Sequence, residues 1–333
     1  MAVFLDGKRL VDVKAKDIEN ALDAVRNRRG EKTLSASTMN KILDVTKRVF
    51  EFAIDRDYIM RNPCRRIHKF ETEGTDAKQQ RSALSGTDAF RLRVALDEQE
   101  RFAYAAFEAK EQRQADWGKS DNRTSVYGLS NLASIIATRL LLATGARRGE
   151  ILGLTWNNVN LSEGIIRISQ SLSVEMEVKA PKTDAGIRNL YIDGQTLGHL
   201  KKWETFQEKV AGSIKRDAAP VPHAEAPVFI SDVGGWIGPT NYSRWWRDFR
   251  EAIGFEKLLT HELRHTHVTL LEPRIPEYML KTRIGHSRPH SATTFYLHEQ
   301  PAHDELAAKV MEQILYHPEE QKSKVIELGR RTA

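Results

Sequence analysis

The sequence predicts two domains: an all-α N-terminal domain, and a larger α+β domain in which helices surround a small three-stranded antiparallel sheet. Two segments before residue 60 carry apolar residues at helical intervals. A polar, glycine-containing segment without apolar periodicity follows them, over residues 68–86. After Trp156 the apolar residues alternate with a period of two over three short segments, and helical patterns then return. Helices alone, followed by helices around a small sheet, indicate this combination of folds.

Composition and charge limit the location and the partners of the chain. Its 333 residues, 40% hydrophobic and 29% charged, suit a globular protein of two domains. No stretch approaches the roughly 18 apolar residues of a membrane span, and the N-terminus lacks a signal peptide's apolar run. We therefore expect an intracellular protein without a membrane partner. Cys64 is the one cysteine, which excludes an internal disulfide and a cysteine-based zinc cluster. The net charge of +6 is as common in ordinary basic proteins as in nucleic-acid-binding ones.

Two helices are predicted in the N-terminal domain, over residues 14–27 and 37–59, and Ser37 is expected to be the N-cap of the second. The apolar face of the first comprises Ile18, Leu22 and Val25. The apolar face of the second comprises Met39, Ile42, Val45, Val49, Phe52 and Ala53. Its outer face carries Lys41, Lys47 and Arg48, and Arg61, Arg65 and Arg66 follow. Taken alone, these charges are typical of a solvated helix face.

The second domain begins with helical patterns. The polar segment over residues 68–86 is typical of an exposed linker and places a domain boundary near residue 80. Long helices are predicted from residue 87 and from residue 131, and Gly145 is expected to end the latter. Three strands, over residues 164–169, 172–179 and 187–192, are predicted to form a meander, with APKTDAG as the last turn. Further helices are predicted over residues 196–210, 239–253, 261–271 and 276–284, with short ones near 291 and 304.

The segment THELRHTHVTLL, residues 260–271, has two interpretations. As H-E-x-x-H it is a zinc-hydrolase helix, in which His261 and His265 bind the metal and Glu262 activates water. This interpretation needs a third ligand, but Leu271 stands six residues after His265, where one form of the motif has a histidine. Arg264 also places a fixed positive charge beside the proposed metal. The zinc interpretation is therefore the weaker one.

The same helix is suited to binding a phosphate. His261, Arg264 and His265 can donate charge-assisted hydrogen bonds from one helix face. A second arginine is available in ATGARRGEILGLTW, residues 143–156, as Arg147 or Arg148 at a helix start. Glu150, three residues after Arg147, can orient it.

Five elements occur in one order along the chain, and together they carry a resemblance. They are TG-x-R-x-G-E at 144–150, PKT at 181–183, H-x-L-R-H at 261–265, IGHS at 284–287, and Tyr296. The chain resembles a tyrosine recombinase of the phage integrase family. Its two N-terminal helices and the RDYIMRNP segment after them resemble the core-binding domain of that family, so the resemblance covers nearly the whole chain.

The resemblance implies an active site for DNA strand breakage and rejoining. Its residues would be Arg147, Lys182, His261, Arg264, His286 and Tyr296, with Glu150 and His265 in supporting roles. Tyr296 would attack the scissile phosphate and form a 3′-phosphotyrosyl link, releasing a 5′-hydroxyl. A tyrosine hydroxyl has a pKa of about 10, so it needs a proton acceptor and nearby positive charge. The two arginines would supply that charge and stabilise the transition state. Lys182 would be the general acid, and His261 and His286 would position the phosphate. No metal and no other cofactor is implied.

The resemblance also implies domains and partners. Residues 1–70 would be a helical core-site DNA-binding domain, 71–86 a linker, 87–303 the catalytic domain, and 304–333 a C-terminal tail. The helix in that tail packs on its own domain in one interpretation; in the other it docks into a neighbouring protomer and links a homotetramer. The implied partners are double-stranded DNA with core recombination sites and DNA-bending or directionality factors, in the cytoplasm of a bacterial host. The candidate DNA-binding residues are Lys41, Lys47, Arg48, Arg65, Arg66, Arg244, Arg247 and Lys257.

These observations lead to a main functional hypothesis and three alternatives. The main hypothesis is a site-specific recombinase that integrates or excises a phage or another mobile element. A type IB topoisomerase uses similar chemistry as a monomer, and a catalytically silent DNA-binding protein is the non-enzyme alternative. A zinc hydrolase based on HELRH is the remote one.

Overall fold

The computed structural model describes residues 7–27, 34–71, 83–117, 128–181, 186–211, 223–285 and 301–318. The chain divides into two compact units, Met1–Gln80 and Arg81–Ala333. Each unit has a separate cluster of buried apolar side chains. Within the described ranges, none of the helices is long and apolar enough to cross a membrane.

The first unit consists of a short 3-10 turn at Leu10–Asp12 and two α-helices, α1 (Ala15–Asn27) and α2 (Ala36–Asp55). As predicted, α1 buries Ile18 and Leu22. Asn40 on α2 exchanges two hydrogen bonds with the main chain of Phe70, at 2.8 and 3.0 Å. The segment that follows α2 is therefore attached to this unit up to about the start of the predicted linker.

The predicted buried face of α2 was wrong at three of its six residues. Val45, Val49 and Phe52 are 60%, 54% and 56% exposed. The helix instead buries another stripe with helical spacing, formed by Ala36, Met39, Leu43, Thr46, Phe50 and Ala53. Both stripes satisfy the period of 3.6 residues, so periodicity alone does not choose between them. Met39 and Ala53 belong to the face that the structure buries, and Ile42 is partly buried and packs against the same cluster. The other three predicted residues are exposed.

The start and the basic face of α2 also need correction. Ser35, not Ser37, is the N-cap, and its side chain accepts a hydrogen bond from the Thr38 amide at 3.3 Å. Lys47 does not lie on the outer face, because its ammonium donates to the Ile67 carbonyl at 3.1 Å. Lys41 and Arg48 are exposed, as expected.

The second unit is built mainly from helices, and the predicted ones are present where the structure describes the chain. They are α3 (Gly86–Trp117), α4 (Leu129–Thr144), α5 (Arg148–Leu152), α6 (Gly194–Val210), α7 (Pro239–Ala252), α8 (Thr260–Leu271), α9 (Glu277–Ile284) and α10 (Pro301–Tyr316). Helix α4 is buried at every residue from Leu132 to Thr144 and is the centre of the core. The Leu84 amide donates to Thr266 on α8 at 2.9 Å, so the end of the predicted linker belongs to this unit.

The sheet is three-stranded and antiparallel, but one predicted strand was wrong. Its strands are β1 (Val159–Asn160), β2 (Ile165–Ile168) and β5 (Arg188–Tyr191), with β2 in the centre. Ile166 lies opposite Leu190, and both side chains are buried. The segment 172–179 instead forms a separate hairpin, β3 (Ser171–Leu172) with β4 (Val178–Lys179). It cannot be one strand because Met176, in its middle, has a left-handed φ of 65°.

Helix α10 packs on the core of its own chain. Ala307, Met311, Ile314 and Leu315 are buried in that core. Within this single chain, α10 therefore has the packing expected in the first of the two interpretations, on its own domain. Residues 319–333, the rest of the predicted tail, and the short helix predicted near 291 lie outside the described residues.

Candidate active site

The loop between α4 and α5 starts at Gly145, and the structure shows why glycine is needed there. Its φ is +65°, and it is the C-cap of α4, with its amide bonded to the Leu141 carbonyl. A Cβ atom at this position would lie 2.4 Å from Cδ2 of His267 on α8. Gly145 therefore allows α4 to end against α8 and turns the chain towards Arg147.

Glu150 holds Arg147 in place, as the sequence predicted. Arg147 is the N-cap residue of α5, and its side chain is about half exposed. Nη1 of Arg147 donates to Oε1 of Glu150 at 2.9 Å, and the Arg147 amide donates to Oε2 at 2.8 Å. One carboxylate thus binds both the side chain and the main chain of Arg147.

Arg188 is a site residue that the sequence analysis missed. It lies on β5, is 3% exposed, and donates from Nη2 to Oε2 of Glu150 at 2.8 Å. Burial by itself raises the pKa of Glu150, but the hydrogen bond and charge of Arg188, with the bonds from Arg147, hold that pKa below its usual value. The sequence contained a signal for Arg188, since it shares one strand face with the buried Leu190 and Ile192.

Arg264 comes from α8 and lies against the loop that carries Arg147. Nη1 donates to the Gly145 carbonyl at 2.7 Å, and Nη2 donates to the Ile284 carbonyl. Its side chain is almost fully buried. Burial, and next the positive charge of Arg147, lower the pKa of Arg264 to about 10. Arg264 remains protonated at neutral pH, and the two predicted arginines are close enough to act on each other.

His261 and His265 lie together on the first turns of α8. Their rings meet edge to face, with centroids 4.6 Å apart, and His261 is exposed. Glu262 does not have the role that the zinc interpretation gives it, because its carboxylate accepts the Leu259 amide at 2.6 Å and so caps α8. Among the described residues, no group of three His, Cys, Asp or Glu side chains is placed to hold a metal ion.

Beneath the site lies a further buried arginine, Arg283, which the sequence analysis also missed. Its Nε donates to Nε2 of His267 at 3.1 Å, and Nδ1 of His267 bonds the Leu142 carbonyl at 3.0 Å. Nε2 therefore accepts and Nδ1 carries the proton. Burial and then the charge of Arg283 hold the pKa of His267 well below its usual value, so the ring is neutral. Arg283 also binds Asp304 on α10 at 2.6 Å.

The other predicted site residues divide into two groups. Lys182, His286 and Tyr296 lie outside the described residues. Exposed candidate DNA-binding residues are Lys41, Arg48, Arg65, Arg66, Arg244, Arg247 and Lys257, whereas Lys47 is partly buried. Arg247 is paired with Asp248 at 2.9 Å. Among the described residues, the site therefore joins three guanidinium groups, one carboxylate and two histidine rings, an arrangement suited to binding a phosphate group.

A protein-family comparison matches residues 128–303, more than half of the chain, to the model of the phage integrase family. The chain belongs to the phage integrase family. The match includes Arg147, Arg188 and the whole of α8 in this integrase-family chain, and it confirms the resemblance found in the sequence.

Two relatives match most of this phage integrase chain. One is a tyrosine recombinase XerC-like protein of Caldanaerobacter subterraneus subsp. tengcongensis, 22% identical over 80% of this chain and 63% of the relative. The other is the ICEBs1 integrase of Bacillus subtilis, 22% identical over 86% of this chain and 68% of the relative. The chain thus spans about two thirds of the length of these relatives.

Two solved structures have a similar fold. The Tn1549 transposon integrase, in complex with a circular intermediate DNA, superposes with a TM-score of 0.57 and 16% identity, over 92% of this chain and 89% of that one. A lambda integrase dimer bound to a core site has a TM-score of 0.52 and 16% identity, over 90% and 86% of the two chains. The predicted fold, helices with a small antiparallel sheet, is confirmed.

Proposed function

We propose that this chain is a site-specific DNA recombinase of a phage or another mobile element, which cleaves and rejoins DNA through Tyr296. The observation that carries the proposal is the approach of Arg147 to Arg264, which are 117 positions apart in the sequence. Arg264 donates to the carbonyl of Gly145, two residues before Arg147, and the charge of Arg147 lowers the pKa of Arg264. Two guanidinium groups held this way can bind two oxygens of one phosphodiester.

The proposed chemistry conserves the energy of the phosphodiester bond. The Tyr296 oxygen attacks the scissile phosphorus as its proton passes to one of the two histidines, a 3′-phosphotyrosyl bond forms, and the bond to the 5′-oxygen breaks. Lys182 protonates the departing 5′-oxygen, and His261 and His286 position the phosphate. Arg147 and Arg264 stabilise the charge that grows on the phosphate oxygens in the transition state. Attack by a 5′-hydroxyl of the partner strand then restores the DNA without ATP.

The proposed partners are duplex DNA and further copies of the chain. Phosphate contacts would come from the exposed cations, Lys41, Arg48, Arg65 and Arg66 in the first unit and Arg244, Arg247 and Lys257 in the second. The proposal places residues 1–70 on core-site DNA and the catalytic domain in 87–303. A solved lambda integrase of similar fold is a tetramer bound to a Holliday junction. We propose the same assembly state for this chain, in the bacterial cytoplasm and with DNA-bending or directionality factors.

The test is formation of a covalent protein–DNA adduct. The full chain is incubated in EDTA with a nicked suicide substrate made from the ends of the element, and adducts are separated under denaturing conditions. We expect an adduct with the wild type, none with Tyr296→Phe, and strongly reduced amounts with Arg147→Gln. An adduct that persists in Tyr296→Phe contradicts the proposed nucleophile. Relaxation of plasmids without recombination sites, by a protein that stays monomeric, would instead indicate a topoisomerase.

A further inference from the structure

We propose that Arg188 is a positioning residue of the active site, which sets the place of Arg147 through Glu150. The inference rests on the proposed function and assigns a role to a residue outside the predicted site. Arg188 lies on β5, opposite Ile168 of β2, and its side chain is directed into the interior.

The Glu150 carboxylate binds two arginines. Oε2 accepts the Arg188 Nη2 at 2.8 Å and the Arg147 amide at 2.8 Å. Oε1 accepts the Arg147 Nη1 at 2.9 Å. Arg188 is almost fully buried, whereas Arg147 is about half exposed. The buried Arg188 therefore fixes the position of the Glu150 carboxylate. The carboxylate in turn fixes the position of Arg147, through its bonds to the Arg147 side chain and amide.

The Arg188 guanidinium also binds two main-chain carbonyls. Nε of Arg188 donates to the Arg283 carbonyl at 2.7 Å, and Nη1 donates to the Gly186 carbonyl at 3.1 Å. Gly186 packs against Pro181, where an added Cβ would lie 2.4 Å from the proline Cβ. Arg188 thus joins the end of α9, the start of β5 and the start of α5. A lysine ammonium also has three donors, but all of them are on one nitrogen atom, so it cannot replace donors that the guanidinium carries on three separate nitrogens.

The positive charges around Glu150 favour its ionised form. The charged groups that face it are Arg147 from the start of α5, Arg188 from β5 and Arg264 from α8. Without Arg188, burial of Glu150 would favour its protonated form. A protonated Glu150 binds Arg147 less strongly, because the hydrogen bond to Nη1 loses its charge.

The experiment measures single-turnover adduct formation by the full chain across acidic to neutral pH. In Arg188→Met we expect the rate at neutral pH to fall by about 10²-fold, the effect of a small displacement of a group that binds the reacting phosphate. We also expect the remaining rate to fall as the pH is lowered, over a range in which the wild type is unchanged. Arg188→Lys should not restore the rate. Arg188→Met combined with Glu150→Gln should be slow but without the added pH dependence.

A matched control separates positioning from general loss of stability. Arg139 is also a buried arginine paired with a carboxylate, Glu100 at 2.7 Å, and has no role in the proposed site. At a temperature where both variants are folded, Arg139→Met should form adduct at the wild-type rate. Equal rates in the Arg139→Met and Arg188→Met variants, or an unchanged pH profile in Arg188→Met, overturn the inference.

A second measurement does not depend on cleavage. The guanidinium ¹⁵N resonances of Arg147, assigned by their loss in Arg147→Lys, should shift in Arg188→Met and stay in place in Arg139→Met. If the wild type forms no adduct, the proposed function fails, while the Arg147 resonances still decide the positioning role. Resonances that do not move in Arg188→Met overturn that role.

Discussion

Gly145 shows how one residue determines the start of the site. It ends α4 in the left-handed region and lets His267 approach where any other residue would place a Cβ atom. Both requirements act at the same position, two residues before Arg147. In the sequence T-G-x-R, the glycine is therefore required by the backbone and the packing, and the arginine by the proposed chemistry.

Replacing this glycine should destabilise the second unit. Gly145→Ala places a Cβ atom 2.4 Å from the His267 ring and forces an alanine to φ +65°. We expect a loss of about 2 kcal/mol or more in the free energy of unfolding, measured by urea denaturation. The control is Gly198→Ala within α6, where an added Cβ meets nothing within 4 Å. This control should gain about 0.5–1 kcal/mol, and equal effects of the two substitutions would contradict the explanation.

His267 should make stability depend on pH. Its pKa in the folded chain lies well below the ordinary value of 6.5, because burial and Arg283 disfavour the charged ring. The unfolded chain therefore binds the extra proton, so this part of the stability is complete above pH 6.5 and is lost as the pH falls below it. The loss is up to about 1.4 kcal/mol per pH unit. Denaturation of the wild type and of His267→Gln on both sides of pH 6.5 checks this. A slope that is the same in both proteins contradicts it.

At the scale of elements, α2 is where sequence and structure differ most. Two apolar stripes run along this helix, and the exposed one contains Val45, Val49 and Phe52. The period of the sequence identifies the helix but not its buried face, since that choice depends on which residues of α1 and of the following segment pack against it. The same holds for Lys47, whose partner is a carbonyl 20 residues away.

The N-cap of α2 provides a test of the corrected start. Ser35→Ala removes the acceptor for the Thr38 amide and should cost about 1 kcal/mol in the unfolding of the first unit. Ser37→Ala, at the exposed second residue of the helix, should be neutral or slightly stabilising, since alanine has the higher helix propensity. Circular dichroism during urea unfolding measures both. A larger loss for Ser37→Ala would restore the original prediction.

The site could be predicted in part, and the limits are physical. Arg147, Glu150 and Arg264 follow from motif order, and the structure places them together. Arg188 and Arg283 were missed because buried arginines are identified by their partners, and those partners come from distant segments. The strand over residues 172–179 was predicted wrongly for a similar reason. A two-residue β1 is too short to show an alternating pattern, and the turn at Met176 does not interrupt that pattern in the sequence.

At the scale of the whole molecule, the last helix that the structure describes, α10, is linked to the site. Asp304 of α10 accepts from Arg283, at 2.6 Å, and from the Tyr191 amide. Arg283 in turn binds His267, which lies against Gly145. The packing of α10 on its own core is thus continuous with the packing behind Arg147.

Removing this carboxylate should destabilise the second unit strongly. Asp304→Ala leaves the buried Arg283 without its anion and should cost about 3–5 kcal/mol, measured by chemical denaturation. Glu305→Ala, on the same turn, breaks only the exposed pair with Lys309 and should cost less than about 1 kcal/mol. Similar losses in the two variants would show that α10 is not held by Arg283.

Among the described residues, Arg147 and Arg188 bind Glu150 and Arg264 lies within reach of its charge, so positive charge exceeds negative charge by two in this group of four side chains. Folding has to bring these charges together against their mutual repulsion. A bound oxyanion relieves that repulsion and shifts the folding equilibrium by mass action. Sulfate should therefore raise the melting temperature more than chloride of equal ionic strength. This difference between the two salts should be smaller in Arg147→Gln. The proposed phosphate-binding site therefore destabilises the fold until an anion occupies it.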